Sequence, residues 1–279
     1  MIKKTLGNVG NILKPSIKGV IMVIIGILST REGLGVGRLT TNLIFGTMTY
    51  FLLALSTHFL IKTLRSETEL AQNERKSQKN ARIIFGVLCG GGIGVAIIHA
   101  MFDNLGFLII IVAISIGAIW LLLGYYADKK ENKDFVISVI ISLTFTFGVI
   151  YGAALNALHI LFIPLFIFLF FFSASFLQLS REMVKGRIGF DYDENNQLKV
   201  SLVFQINAVI FLLLPFYSDL ASLVLFIYPM IAGSIVIGVA AILTYKETKE
   251  EPVRNAKKIA KLLRVGILIE IIAFIFANS

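Results

Sequence analysis

The chain has 279 residues, 57% of them apolar, with a mean hydropathy of +0.84 and a formal charge of +9. That balance excludes an ordinary soluble globular domain. The positive charges sit in short segments between long apolar runs, where membrane topology and attraction to anionic headgroups account for them, so no nucleic-acid partner is expected.

In chain order the apolar runs are Ser16–Ser29, Asn42–Ile61, Arg82–Met101, Leu105–Tyr126, Phe135–Leu155, Ala157–Leu179, Val200–Tyr217, Leu220–Tyr245 and Val265–Ala277. Most reach the ~20 residues that cross a hydrocarbon core of about 30 Å. The first and last are shorter and need flanking Lys or Arg to snorkel. The spans must be helices, because lipid leaves no partner for open backbone groups and no strand alternation is present. Nine spans put 24 of the 26 Lys and Arg residues on one face, with only Arg31 and Arg38 on the other. Cytoplasmic loops carry the positive excess, so the N-terminus and the three long loops, Lys62–Ala81, Ser180–Lys199 and Lys246–Arg264, are expected inside. The expectation is an all-α, multi-pass cell-membrane protein forming a single domain over residues 1–279.

The single cysteine, Cys89, excludes an intrachain disulfide. Arg31-Glu32-Gly33 follows the first span without a small-residue cleavage pattern, so a removable signal peptide is not expected. The third span carries Gly86, Gly90, Gly91, Gly92 and Gly94, which places it at the centre of the bundle, where small residues let helices approach closely. The sixth carries Phe162, Phe166, Phe168, Phe170, Phe171, Phe172 and Phe176. These are lipid-facing or core rings, or the lining of an apolar tunnel for an isoprenoid chain. Gly33, Gly35 and Gly37 follow no strand and do not form a phosphate loop. Polar residues inside spans need a reason. For Gln205 and Asn207 the ordinary reason is hydrogen bonding between helices, whereas sequence alone names no partner for Glu270. The histidines, His58 and His99 among them, lie in different spans without metal-ligand spacing.

Two inner segments, Ser56–Ser77 and Gln178–Asn196, mix carboxylates with Lys and Arg at the mouth of an apolar bundle. Each is either a solvated helix end with i,i+4 pairs or a site for a diphosphate with a greasy tail. In the second case carboxylates hold Mg²⁺ against phosphate, while Lys and Arg take the remaining charge.

The nine spans and the two charged segments after spans two and six resemble the UbiA superfamily of intramembrane prenyltransferases. Lys14-Pro15 before the first span is similar to that family's Arg-Pro entry. Arg181-Glu182-Met183-Val184-Lys185 is similar to the lead into its second aspartate motif, and Glu251–Arg264 to the segment before its last span. The resemblance implies transfer of a prenyl group from a prenyl diphosphate to an aromatic or glycerol-phosphate-type lipid acceptor. It implies catalytic Asp191 and Asp193, with Mg²⁺ on Asp191, Asp193 and Glu194, joined by Glu67 and Glu69. It implies diphosphate contacts from Lys62, Arg65, Arg181, Lys185 and Arg187, and no obligate protein partner. The first family motif, Asn-Asp-x-x-Asp-x-x-x-Asp, falls on Thr57, His58, Ile61 and Arg65, and Gly186 and Gly189 take two positions of the second. The alternative is a UbiA-type bundle that binds, carries or scaffolds an isoprenoid or lipid without chemistry. A secondary transporter ranks last: no repeat is visible, and only Pro164, Pro215 and Pro229 suggest broken helices.

Overall fold

The computed structural model describes residues 2–31, 34–66, 75–103, 133–157, 163–186, 194–217, 223–249 and 255–276. The elements are α1 (Ile2–Ser29), α2 (Val36–Thr41), a π-helical turn (Asn42–Gly46), α3 (Thr47–Ser66), α4 (Arg75–Asp103), α5 (Lys133–Asn156), α6 (Leu165–Gly186), α7 (Glu194–Tyr217), α8 (Leu223–Glu247) and α9 (Ala256–Phe276). Among the described residues six stretches are long and apolar enough to cross a membrane: Val36–Phe59, Ile83–Phe102, Ser138–Asn156, Leu165–Lys185, Gln197–Pro215 and Phe226–Glu247. Ser16–Ser29 is a shorter apolar helix. The expected fourth span, Leu105–Tyr126, lies outside the described residues. The expected ninth lies in α9, whose first half carries Lys257, Lys258, Lys261 and Arg264.

The chain divides into two compact units. The first comprises residues 1–130 and 144–163; the second comprises 131–143 and 164–279.

In the first unit glycines bring α1 and the end of α5 together backbone to backbone. A Cβ on Gly26 would meet the Val149 carbonyl oxygen, one on Gly152 the Val23 carbonyl oxygen, and one on Gly148 would stand 2.6 Å from the Gly19 oxygen. Lipid offers helices no hydrophobic drive to associate, so this close approach carries the packing. The glycine run of α4 contributes less than its density suggests. Gly92 packs against Leu53, but Gly86, Gly90 and Gly94 have no described atom within 4 Å. Among the described residues, the close backbone approach expected of that span is made by α1 and α5.

A buried polar chain joins the ends of these helices. His99 Nε2 lies 2.9 Å from Asn42 Oδ1, and Asn42 Nδ2 donates to the Leu155 carbonyl (3.1 Å) and to Asn156 Oδ1 (2.8 Å). Asn156 Nδ2 in turn donates to the Ile27 carbonyl (2.6 Å) and to Thr30 Oγ1 (2.9 Å). Asn42 opens the π-helical turn. Such turns leave carbonyls off the i→i−4 pattern, and here the Thr47 hydroxyl donates to the Leu43 and Ile44 oxygens.

In the second unit α6, α7, α8 and α9 form a closed ring, each packed on the next and α9 on α6. Pro215 and Pro229 sit inside α7 and α8, which continue through them, so neither breaks a helix. Phe166 and Phe170 pack on Phe274 of α9. Phe172, Phe176, Phe204 and Phe211 form a ladder of rings between α6 and α7, with Phe172 exposed.

Candidate functional site

The inward stripe of α6 runs Ala174, Leu177, Arg181, Val184, spaced i, i+3 or i+4 as a core face requires. Three of these are fully buried apolar residues, and the fourth is an arginine only 8% exposed. A buried guanidinium must be met by hydrogen-bond acceptors or an anion. Arg181 Nη1 donates to Gln178 Oε1 (3.3 Å) and to Glu182 Oε1 (3.2 Å), both long for charged hydrogen bonds. Arg181 Nε is buried and has no hydrogen-bond partner among the described residues. Glu182 Oε1 also accepts from Gln178 Nε2 (3.1 Å) and Lys185 Nζ (2.9 Å), so three donors converge on one oxygen.

Behind this cluster lies a satisfied polar quartet. Ser180 Oγ and Ser201 Oγ are 2.7 Å apart, and Gln205 Nε2 donates to Ser180 Oγ (3.0 Å), Ser201 Oγ (3.2 Å) and Thr244 Oγ1 (3.0 Å). All four side chains are fully buried. The quartet ties α6, α7 and α8 together just below Arg181 and fixes how α6 presents its last turns. Gln205 thus bonds between helices as expected. Asn207 does not: it donates to the Val203 carbonyl of its own helix. Glu247 at the end of α8 accepts from the backbone N–H (3.2 Å) and Nδ2 (2.5 Å) of Asn255, which precedes α9.

Of the residues expected at the site, the structure brings together Arg181 and Lys185, through Glu182. Lys62 and Arg65 lie in the last turns of α3 and Glu194 opens α7; their side chains lie outside the described residues, as do Glu67, Glu69, Arg187, Asp191 and Asp193. At the positions matched to the first motif, Thr57 donates to the Leu53 carbonyl (3.0 Å), and His58 Nδ1 lies 2.7 Å from the Ala54 carbonyl. A carbonyl only accepts, so Nδ1 carries the proton of that bond. Both residues are buried, turned onto their own helix. Among the described residues no three His, Cys, Asp or Glu side chains gather as a metal site.

Sequence reasoning missed one residue. Arg264 of α9 lies within electrostatic range of Arg181 and adds a third positive charge to this end of the ring. It was one of seven Lys and Arg between the eighth and ninth spans, and nothing local distinguishes it.

No protein-family model matches the chain, and no curated protein matches it in sequence. In structure it is similar to a solved digeranylgeranylglyceryl phosphate synthase, at a TM-score of 0.66 and 17% identity over 97% of this chain and 95% of that one. The likeness is one of fold, and it extends over nearly the whole of both chains.

Proposed function

We propose that the chain is a membrane prenyltransferase of the UbiA type. It takes a prenyl diphosphate and transfers the prenyl group to a lipophilic acceptor, an aromatic ring or a glycerol-phosphate-type lipid. The observation that carries this reading is a cationic cluster with a buried guanidinium, Arg181, at the end of an apolar helical ring, in a chain similar in fold to a solved digeranylgeranylglyceryl phosphate synthase. The nine-span topology with the N-terminus and long loops inside is part of the proposal, since it puts the substrate's charged end at the cytoplasmic surface.

The reaction breaks the bond between prenyl C1 and the diphosphate oxygen, and the electron pair leaves with the diphosphate. The acceptor's carbon or oxygen then bonds to C1 of the allylic cation and gives its proton to water. Negative charge grows on the departing oxygen, so preplaced cations lower the barrier. Arg181 and Lys185 would supply those cations, with Lys62, Arg65 and Arg187 as further candidates. Asp191, Asp193 and Glu194, with Glu67 and Glu69, would hold Mg²⁺, which when bound would neutralise charge on the diphosphate. The described donors alone do not fit that ion: Glu182 is the one carboxyl in the described cluster, and its Oε1 is taken by three N–H donors. No step above passes through the metal.

The test is turnover of C5 to C20 prenyl diphosphates by the detergent-purified chain with an acceptor panel, in Mg²⁺ and then in EDTA. Release of diphosphate that Asp193→Asn abolishes is expected. Binding without release at any chain length would replace the enzyme with an isoprenoid carrier.

A further inference from the structure

The buried stripe of α9 runs Ala256, Ile259, Leu263, Ile267, which turns the opposite face of the helix outward. That outward face changes character part-way along. Its first turns carry Lys257, Lys258, Lys261 and Arg264, all exposed. From there it continues as Val265, Leu268, Ile272 and Ile275, exposed as well. None of the four cations has an ion-pair partner among the described residues, and the first turn of α9 holds no acidic residue. The arrangement works against the helix twice over. Cations at three- and four-residue spacing repel one another, and those near an N-terminus meet the positive end of the macrodipole. The neighbouring helix makes the same change. α8, which packs on α9, ends with exposed Tyr245, Lys246 and Lys249, and Lys249 Nζ stands 4.4 Å from the Tyr245 ring centroid. Glu247 beside them is buried and bonded to the N–H and Nδ2 of Asn255.

A helix face that is basic and then apolar along one line follows the section of a lipid leaflet, with headgroup phosphate above acyl chain. We propose that the outward face of α9, with the end of α8, is a docking surface for anionic phospholipid. Lys257, Lys258, Lys261 and Arg264 meet the headgroup phosphate, and the acyl chains lie along Val265, Leu268 and Ile272. Uncompensated positive charge selects an anionic headgroup over a zwitterionic one. Tyr245 and Lys249 complete the surface from α8, since amphipathic rings and lysine stems sit at the level of the headgroups. The attachment also answers a shortage of length. Residues 265–276 rise only about 18 Å, less than a hydrocarbon core of about 30 Å, so long cationic stems must tie the start of α9 to the headgroup layer. The surface lies opposite the stripe that α9 turns into the ring. It rests on α9 entering a membrane, and not on the prenyltransferase reading.

The experiment uses the full-length chain in bilayers on a Cys89→Ser background, with a thiol-reactive fluorophore at Leu268→Cys or, as the reference, at Ile206→Cys. Ile206 is exposed at the same distance along α7 as Leu268 is along α9, and the only cation of α7 is Lys199. Quenching by dibrominated phosphatidylglycerol against dibrominated phosphatidylcholine gives the relative affinity of the two lipids at each label. The preference for phosphatidylglycerol is expected to be at least about threefold greater at Leu268 than at Ile206 in low salt, and to shrink in about 1 M salt. Lys257→Gln, Lys258→Gln and Lys261→Gln together should remove the excess, and the three Lys→Arg changes should keep it. The lysines are exposed, so both triple variants should melt like the wild type, which is checked on the same samples. Equal preference at the two labels, an excess that survives the triple Gln variant, or one that the triple Arg variant also loses overturns the proposal. Prenyl turnover plays no part in the readout, so the enzyme reading stands or falls separately.

Discussion

Gly152→Ala is the most exacting probe of how the first unit is held. A Cβ there would meet the Val23 carbonyl oxygen and stand 3.0 Å from both Ile27 N and Val23 C, all of them backbone atoms with no rotamer to yield. Restoring ordinary contact moves α1 from α5 by about 1 Å in a close-packed interior. Overpacking of this kind costs about 1–3 kcal/mol. The displacement also stretches the Asn156 bonds to the Ile27 carbonyl and Thr30 Oγ1, one turn away. Hydrogen bonds between membrane helices average about 0.6 kcal/mol each, so a loss of about 2–4 kcal/mol is expected in total. The control is Gly238→Ala, where a Cβ has no described atom within 4 Å and a helical alanine is favoured by up to about 1 kcal/mol. Thermal unfolding in detergent, followed by loss of the monodisperse size-exclusion peak, separates the two. A wild-type melting temperature for Gly152→Ala, or an equal fall in Gly238→Ala, would refute the backbone-to-backbone packing.

Three further outcomes are expected. Gln205→Leu keeps the volume but removes the donor shared by Ser180, Ser201 and Thr244, so it should destabilise by about 1–2 kcal/mol, against more for Gln205→Ala, which adds a cavity; equal melting of the two variants would contradict this. Glu182→Ala strands Arg181 in a mostly buried position and should cost about 3 kcal/mol, with pyrophosphate raising its melting temperature more than the wild type's; a variant as stable as wild type would show that Glu182 is not the counter-charge. On a Cys89→Ser background, Gly35→Cys should react with a membrane-impermeant maleimide from outside intact cells and Lys249→Cys only after permeabilisation; the reverse pattern would invert the topology.

Much of the architecture was legible because membrane spans announce themselves locally. The helices at 36–59, 83–102, 138–156, 165–185, 197–215 and 226–247 follow the apolar runs, since length and hydropathy alone determine what can cross. Partners were not legible. Asn42 bonds to Asn156, 114 residues away, and no periodicity within either helix reports that distance. The α4 glycines illustrate the same limit: density signals a capacity for close packing, but which face meets a neighbour is set by crossing geometry. The Phe-rich helix divided similarly, with Phe166 and Phe170 turned to Phe274 and Phe172 left exposed. At the site, Arg181 and Lys185 could be named from a short motif, whereas Arg264 could not, because its meaning lies in what α9 packs against. Glu270 is a further case. It is fully buried beside Ser173, whose hydroxyl is committed to the Ala208 carbonyl (2.8 Å), and sequence offers only that a carboxyl in a span must have a reason.

The π-helical turn at Asn42–Gly46 bears on how this chain is compared with others. Such a turn accommodates one more residue than an α-turn, and one residue is about 100° of rotation. The side chains of α2 are therefore out of phase with those of α3 by that angle, and Asn42, which opens the turn, bonds to His99. A relative lacking the extra residue would keep both helix faces and be one position shorter between them. Any residue-by-residue correspondence that forbids a single-residue gap inside a membrane span would then misassign every position on one side of the turn, including Thr57 and His58 about three turns on.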